Sequence, residues 1–278
     1  MIKINILTDN TPNPTLSKLT AEHGLSMLIE INGKRILCDT GLSDAFWKNA
    51  KALGISLNDI DWTFISHGHK DHSGGLLTFL ENNDQAPVFI SSEVFKHHFF
   101  TSRHTFKHDI STPEVDIERF PDRFHLMEES KWITDDIAIV GCHVNRWAHP
   151  FGNIFLTAQT KGGIEKADDF SHELSLVFKT EKGLVIISSC SHNGALNIAQ
   201  SCREFTGVDQ VYAFVGGLHF VDCNQTALEV DGFQKDWNAL YPETLLYTGH
   251  CTSDKAKREL EQVIPNLHIF YTGEEIIL

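Results

Sequence analysis

Several features that would classify this chain quickly are missing. Its six cysteines (38, 142, 190, 202, 223 and 251) contain no Cys-x-x-Cys pair, which excludes a zinc ribbon or redox dithiol of that spacing. No secretory leader is visible, because the apolar stretch of "MIKINILTDN" is short and meets Asp9 and Asn10 at once. The scattered cysteines are therefore expected as reduced thiols in a cytoplasm. No apolar run approaches the roughly 20 residues of a membrane-spanning helix. Basic residues are scarce, 23 Lys and Arg against 37 Asp and Glu, for a formal charge of −14. That balance argues against a nucleic-acid backbone or an anionic membrane as a general partner. Bound divalent metals would supply the cationic sites the composition lacks.

What is present describes a globular α/β protein. With 278 residues, 41% apolar and 22% charged, the chain can bury a sizeable core as one large domain or two small ones. Short strands are expected at "IKINILT", "LSMLIEI" and "KRILCDT", the last two joined by an Asn32-Gly33 hairpin turn. Residues 43–53 read as a helix capped by Ser43 or Asp44, "DWTFIS" as a buried strand, and "SGGLLTFLEN" as a helix. Residues 93–130 are aromatic, histidine-rich and weakly periodic, with Pro113 and Pro121 as breakers. They are expected to form an insertion or lid over a site. Phe95, Phe99, Phe100 and Phe106 there either stack on a planar ligand or belong to the core.

Strands resume at "WITDDIAIV" and "NIFLTAQ", and a polar loop at 160–171 precedes "LSLVFKT". Lys182-Gly183 turns the chain into "LVIISS". Helices near 194–205, 226–240 and 253–262 then alternate with strands "VYAFVGG", "TLLYTG" and "HIFYTG". Two sheets flanked by helices account for this order.

The histidines, sixteen in all, are not scattered evenly. Four apolar runs each finish in one: "WTFIS" in His67, "LVIISSCS" in His192, "VYAFVGGL" in His219 and "LLYTG" in His250, while "ILC" finishes in Asp39. Sites in α/β folds gather at the carboxyl ends of strands, where loops converge on a rigid sheet. In "FISHGHKDHSGG", His67 and His69 alternate along an extended loop and can grip one ion. Asp71 and His72 swing toward a neighbouring position where the chain turns helical, and Asp71 near the helix start could also act as its cap. Gly68, Gly74 and Gly75 let the backbone turn and approach closely. "FISHGHKDHSGGLLTFL" and "IISSCSHNGALNIAQ" share the order strand, Ser, His, Gly, helix. A duplicated half would set the His67 and His192 segments in equivalent places.

These residues resemble a known pattern. His67-x-His69-x-Asp71-His72 after an apolar strand is similar to the signature of the metallo-β-lactamase superfamily. "ILCDTG" resembles that family's first motif, with Asp39 as its aspartate, and "LLYTGHCTSDKA" its last, with His250 as terminal ligand. The resemblance implies a single domain over residues 1–278 with an αββα sandwich fold, two mixed sheets flanked by helices and metals at the sheet edges. "TDN", "AEHGLSMLIE", "SSCSHNG", "GGLHF" and "TGHCTSDKA" resemble one branch of the family. That branch includes archaeal dihydropterin-ribofuranosyl-aminobenzene phosphate synthases, beside many uncharacterised metal-dependent hydrolases.

The resemblance implies one metal on His67, His69 and His192 and a second on Asp71, His72 and His250. The ions would be one or two divalent cations, zinc first, with iron or manganese as other candidates. One departure stands out: the metal-bridging aspartate of many members falls at Ser189-Cys190-Ser191-His192, where no carboxylate occurs. His192 takes the ligand role, with Cys190 or His172 as alternatives. His219 would bind substrate phosphate, act as proton donor, or merely pack in the core. Asp39 would orient a ligand histidine rather than touch metal. Asp9, Glu22 and His23 either line the pocket or serve turns.

The function implied is a metal-dependent hydrolase using a metal-bound hydroxide, with Asp71 and His219 as catalytic residues. Its substrate would be a small phosphate-containing or other ester-type molecule. An alternative is a transferase condensing a pterin pyrophosphate with an aminobenzene riboside phosphate, which makes the expected partner phosphorylated or pterin-like. A third reading is a non-catalytic sensor of a small ligand. A redox di-iron role suits the low carboxylate count poorly, and a true β-lactamase would be exported.

Overall fold

Asn32 and Gly33 take positive φ, 49° and 74°, and fold Ser26–Ile31 back onto Lys34–Cys38 with Ile29 opposite Ile36. This is the hairpin that an Asn-Gly pair between apolar runs favours, since its backbone twist matches that of the strands. The computed structural model describes residues 1–103, 106–115, 117–120, 122–160 and 162–278, so Pro121, read above as a breaker, lies outside the described residues. Two compact units divide the chain. The first comprises Met1–Glu128, Thr157–Lys166 and Tyr271–Leu278, and the second Glu129–Leu156 and Ala167–Phe270.

In the first unit a seven-stranded mixed sheet runs in the order Glu275–Ile277, Ile2–Thr8, Ser26–Ile31, Lys34–Cys38, Trp62–Ile65, Val88–Ser91, Phe124–Met127. The first four strands are mutually antiparallel and the last four parallel. Leu7, Leu28, Leu37, Ile65 and Ile90 pack with Phe46 and Phe79 into its core. The terminal strand Glu275–Ile277 has only three residues, too few to show a period, and the sequence pattern did not reveal it.

Ala45–Ala52 forms the first helix, and Ser43 Oγ accepts from Ala45 N at 3.2 Å, while Asp44 makes no side-chain cap. The helix expected over 73–82 is two pieces, Lys70–Ser73 and Leu76–Asn82. Gly74 and Gly75 separate them because the 40–42 loop crosses there. A Cβ on Gly74 would lie 2.1 Å from Leu42 O, and one on Gly75 2.4 Å from Thr40 O.

Residues 93–130 are more regular than expected. His97–Thr101 and His108–Asp109 form an antiparallel pair within a four-stranded sheet, and Phe124–Met127 closes the large sheet. Of the four phenylalanines considered above, Phe99 is buried in the core and Phe106 is exposed.

The second unit has its own seven-stranded mixed sheet. Its order is Leu267–Ile269, Leu245–Thr248, Val211–Val215, Gly183–Ile187, Leu174–Thr180, Ile137–Gly141, Lys131–Trp132. The run 132–140, expected as one strand, is a hairpin. Thr134 Oγ1 accepts from Ile137 N at 3.1 Å and donates to Asp136 Oδ1 at 2.6 Å, which stabilises the turn. Pro150 opens a short 3₁₀ turn, Phe151–Phe155, so the strand expected from 153 begins at Leu156. Ala195–Thr206 ends at Gly207 in the left-handed region (φ 70°), and Ser253 caps Asp254–Val263 by accepting from Ala256 N at 3.2 Å. Trp237, Phe214, Phe233 and Leu246 lie in the core. Among the described residues no helix is long and apolar enough to cross a membrane.

The two sheets share a plan, an antiparallel part joined to a parallel part. The joining strand is Lys34–Cys38 in the first and Gly183–Ile187 in the second. His192 follows the second of these, so its topological counterpart is Asp39. His67 follows the next parallel strand, whose counterpart Val211–Val215 leads to His219. The equivalence of the His67 and His192 segments suggested by their shared Ser-His-Gly order is therefore corrected: strand order sets equivalence, and it pairs His67 with His219.

Candidate metal centre

In the first unit the Trp62–Ile65 strand delivers Ser66 and His67 directly into the turn. His67, His69 and His72 are all buried. The His67 ring centroid lies 4.6 Å from that of His69 and 4.2 Å from that of His72. The backbone permits this crowding only because of its glycines. A Cβ on Gly68 would meet Phe99 Cε2 at 2.4 Å, and one on Gly24 the Asp71 carbonyl at 2.6 Å. Residues from the 93–130 segment hold the loop: Thr112 N donates to Gly68 O at 2.8 Å and Lys70 N to Ile110 O at 2.7 Å.

Asp39 organises these imidazoles from the end of the neighbouring strand. Its Oδ1 accepts from Ser66 N at 2.7 Å, and its Oδ2 accepts from Ser66 Oγ at 2.8 Å and faces His72 Nδ1 at 2.8 Å. A carboxylate can only accept, so His72 donates from Nδ1, which in the neutral ring leaves Nε2 as the acceptor nitrogen. The Ser66 hydroxyl has one proton, given to Asp39, so at 2.9 Å it accepts from His67 Nδ1. With its proton on Nδ1, the neutral His67 ring has the tautomer a metal ligand requires.

Asp71 sits at the edge of this cluster, its Oδ2 3.6 Å from His72 Nε2 and 3.4 Å from Nε2 of the exposed His23. His69 is the N-cap residue of the short helix Lys70–Ser73, and Asp71 lies in its first turn. Glu22 is a structural residue. Its carboxylate accepts from Leu42 N at 2.9 Å and Ser43 N at 3.1 Å, tying down the turn after Asp39. Asp9 likewise serves a turn, accepting from Thr11 N at 2.8 Å.

The second unit holds a different donor set. Cys190, His192 and His219 offer ligand atoms within 4.8 Å of one another, as do Cys190, His250 and Cys251. Cys190 is thus common to a set containing His192 and a set containing His250. His192 is fixed on several sides: Nδ1 lies 3.2 Å from Asn153 Oδ1, the ring stacks on Phe170 at 4.6 Å, and its backbone N donates to Glu173 Oε1 at 2.7 Å. Burial raises the Glu173 pKa, while donation from Asn193 and His192 opposes the rise. Burial also opposes ionisation of Cys251. Hydrogen bonding with Cys190 and His219, and the charge of His250, nevertheless hold its thiol well below the usual range.

His219 Nδ1 is buried with no hydrogen-bond partner among the described residues, a donor-set feature that suits an added cation. His172, the alternative ligand named above, faces a buried carboxylate, Nε2 to Asp168 Oδ2 at 3.1 Å.

Backbone strain marks the same places. Asp39, Ser191, His219 and His250 have φ of 59°, 58°, 52° and 47°, each just beyond a sheet strand. Left-handed backbone costs a non-glycine residue on the order of 1 kcal/mol and concentrates at functional sites. Sequence reading missed Asn153, Asp168, Glu173 and Cys251. Only Asp168 left a trace, four residues before His172, and that spacing is too common to stand out.

A mixed-sheet α/β fold with a buried His-x-His-x-Asp-His turn and strand-end histidines defines a class. The chain belongs to the metallo-β-lactamase superfamily, whose family model matches residues 19–174. It is 31% identical over 276 residues to the 7,8-dihydropterin-6-methyl-4-(β-D-ribofuranosyl)-aminobenzene-5'-phosphate synthase of Methanocaldococcus jannaschii, covering 91% of this chain and 90% of that protein. An uncharacterized protein of the same organism is 28% identical, with 94% of each covered. Among solved structures, Tm1679, a metal-dependent hydrolase of the β-lactamase superfamily, matches with a TM-score of 0.81 and 26% identity, covering 100% of this chain and 99% of that one.

Proposed function

We propose that the protein is a metal-dependent hydrolase acting on a small phosphate-containing or other ester-type substrate. The observation that carries this reading is the Asp39–Ser66 network, which orients the His67 and His72 rings through their Nδ1 atoms. Each unit contributes donors suited to a divalent ion: His67, His69, Asp71 and His72 in one, His192 and His250 with Cys190 in the other. Imidazole, carboxylate and thiolate together favour zinc. When bound, such an ion supplies a Lewis acid and a water acidic enough to lose its proton near pH 7.

The chain's own groups do the rest. Asp71, whose side chain is 16% exposed, accepts or orients a proton at its Oδ2. His219 donates a proton to the leaving group or binds a substrate phosphate oxygen. In a chain of formal charge −14, a phosphate substrate is attracted only where cations are concentrated. Six cysteines outside any disulfide suit a reducing cytoplasm.

The test is a panel of phosphodiesters, carboxylic esters, lactones and thioesters, assayed before chelation, after it, and after zinc is returned. Turnover of one class that vanishes and returns supports the reading; turnover by metal-free protein, or binding without any turnover, contradicts it. The 31% identity to a synthase favours one second reading, condensation of a pterin pyrophosphate with an aminobenzene riboside phosphate. A coupled product from those two substrates would establish it in place of hydrolysis.

A further inference from the structure

Two thiols of the second unit converge over a strand end. Gly183–Ile187, Val211–Val215 and Leu245–Thr248 are neighbouring parallel strands, with Val211–Val215 in the middle. Cys190 lies just beyond the first of them and Cys251 just beyond the third. Their Sγ atoms come within 4.8 Å of each other. The Cys251 thiol also donates to the carbonyl of Cys190, 61 residues away, at 3.6 Å.

The middle strand ends in Gly216-Gly217, and these two residues make the approach possible. A Cβ on Gly216 would lie 1.8 Å from Ser188 O. One on Gly217 would lie 2.3 Å from Cys251 Sγ and 2.8 Å from Ser189 O. A side chain at either place would push the Cys190 and Cys251 loops away from the strand end. Two residues further on, His219 N donates to Cys251 Sγ at 3.2 Å and holds the sulfur in the gap. Cys190 is 3% exposed and Cys251 half-buried, so a small solute reaches Cys251 first.

We infer that Cys190 and Cys251 form a reversible redox pair, closed to a disulfide by hydrogen peroxide and reopened by a dithiol. The Cys251 sulfur attacks one peroxide oxygen and becomes S–OH, while the other oxygen leaves as water with the thiol proton. The Cys190 sulfur then displaces that hydroxyl, which takes the second thiol proton and leaves as water. Two thiols and one peroxide thus give one disulfide and two waters, the sulfurs losing the two electrons that the O–O bond gains. The sulfurs must close to about 2.05 Å. Both cysteines sit in loops rather than within strands, so the sheet need not move. A transient, redox-sensing disulfide is the kind that reducing compartments tolerate.

Closure also withdraws two metal donors, because the thiolate is the sulfur form that binds a metal. The second unit would then keep only its histidines. This coupling rests on the metal-dependent reading above; the thiol pair itself does not.

The test treats full-length protein, with and without added zinc, with hydrogen peroxide and digests it without reduction. In chelated protein a peptide joining Cys190 to Cys251 should appear, with a mass loss of about 2 Da for the two hydrogens. Thiols titrated after denaturation should fall by two from the six cysteines present, and dithiothreitol should restore them. Cys190→Ser and Cys251→Ser should each abolish the joined peptide. Cys223→Ser, whose sulfur accepts from Gln225 N at 3.3 Å in a separate turn, should keep it. Six persisting thiols, oxidation of Cys251 to sulfinic acid without joining, or a disulfide between any other pair would overturn the inference. Bound zinc should slow the joining at least about tenfold, since a metal-held thiolate is withdrawn from attack. An unchanged rate would contradict the coupling and leave the pair established. Neither result depends on turnover, so a failed activity panel leaves both standing.

Discussion

His72 Nδ1 lies 2.8 Å from Asp39 Oδ2, and neither side chain has any exposed surface. The pair joins a strand end to a helical turn 33 residues later, and it decides which imidazole nitrogen faces outward. Removing the charge while keeping the shape isolates that role. Asp39→Asn should lower zinc affinity by about 10–100-fold, read by competition with a chromophoric chelator, with the far-ultraviolet circular dichroism unchanged.

The turn after the histidines is closed by contact with backbone. In Gly75→Ala the new methyl would sit 2.4 Å from Thr40 O and 2.5 Å from Ser43 O, neither of which can rotate away. A loss of about 1–3 kcal/mol follows, visible as a lower urea midpoint at constant slope.

Thiol reactivity should separate the cysteines. Burial pushes the Cys142 thiol up to about 11, and burial raises Cys202 further still. Both remain protonated at pH 8, below either value, and the thiol form is a poor nucleophile. Mass spectrometry after iodoacetamide treatment of the folded protein at that pH should find both unmodified. Raising the pH toward 11 should speed modification of Cys142 first.

Cys190 occupies the position where the sequence offers no aspartate, and its sulfur belongs to both donor sets of the second unit. Cobalt-substituted protein should therefore show a near-ultraviolet thiolate-to-metal charge-transfer band, and Cys190→Ser should remove it. A band unchanged in the variant would assign the thiolate to Cys251, and no band in the wild type would return the role to the histidines alone.

Much of this was legible in the sequence because the signals are local. The Asn32-Gly33 hairpin, the strand-end histidines and Asp39 are all readable within a few residues. The broken helix at Gly74-Gly75 was not, since its cause is the 40–42 backbone crossing from a distant part of the chain. The hairpin hidden in 132–140 looked continuous because Thr134 and Asp136, which form its turn, interrupt the apolar pattern only briefly. Ser66 as the relay between Asp39 and His67 needs three-dimensional proton bookkeeping that no spacing encodes.

On the proposed reading, His67 and His72, aligned by Asp39 and Ser66, act with His69 to hold a divalent ion. Elemental analysis of the purified protein beside His67→Ala/His69→Ala tests it most directly. The wild type should hold at least one divalent ion per chain tightly, and the double variant should lose it while the fold persists. A wild-type protein that takes up no metal when offered zinc, or a double variant that retains the full complement, would contradict it.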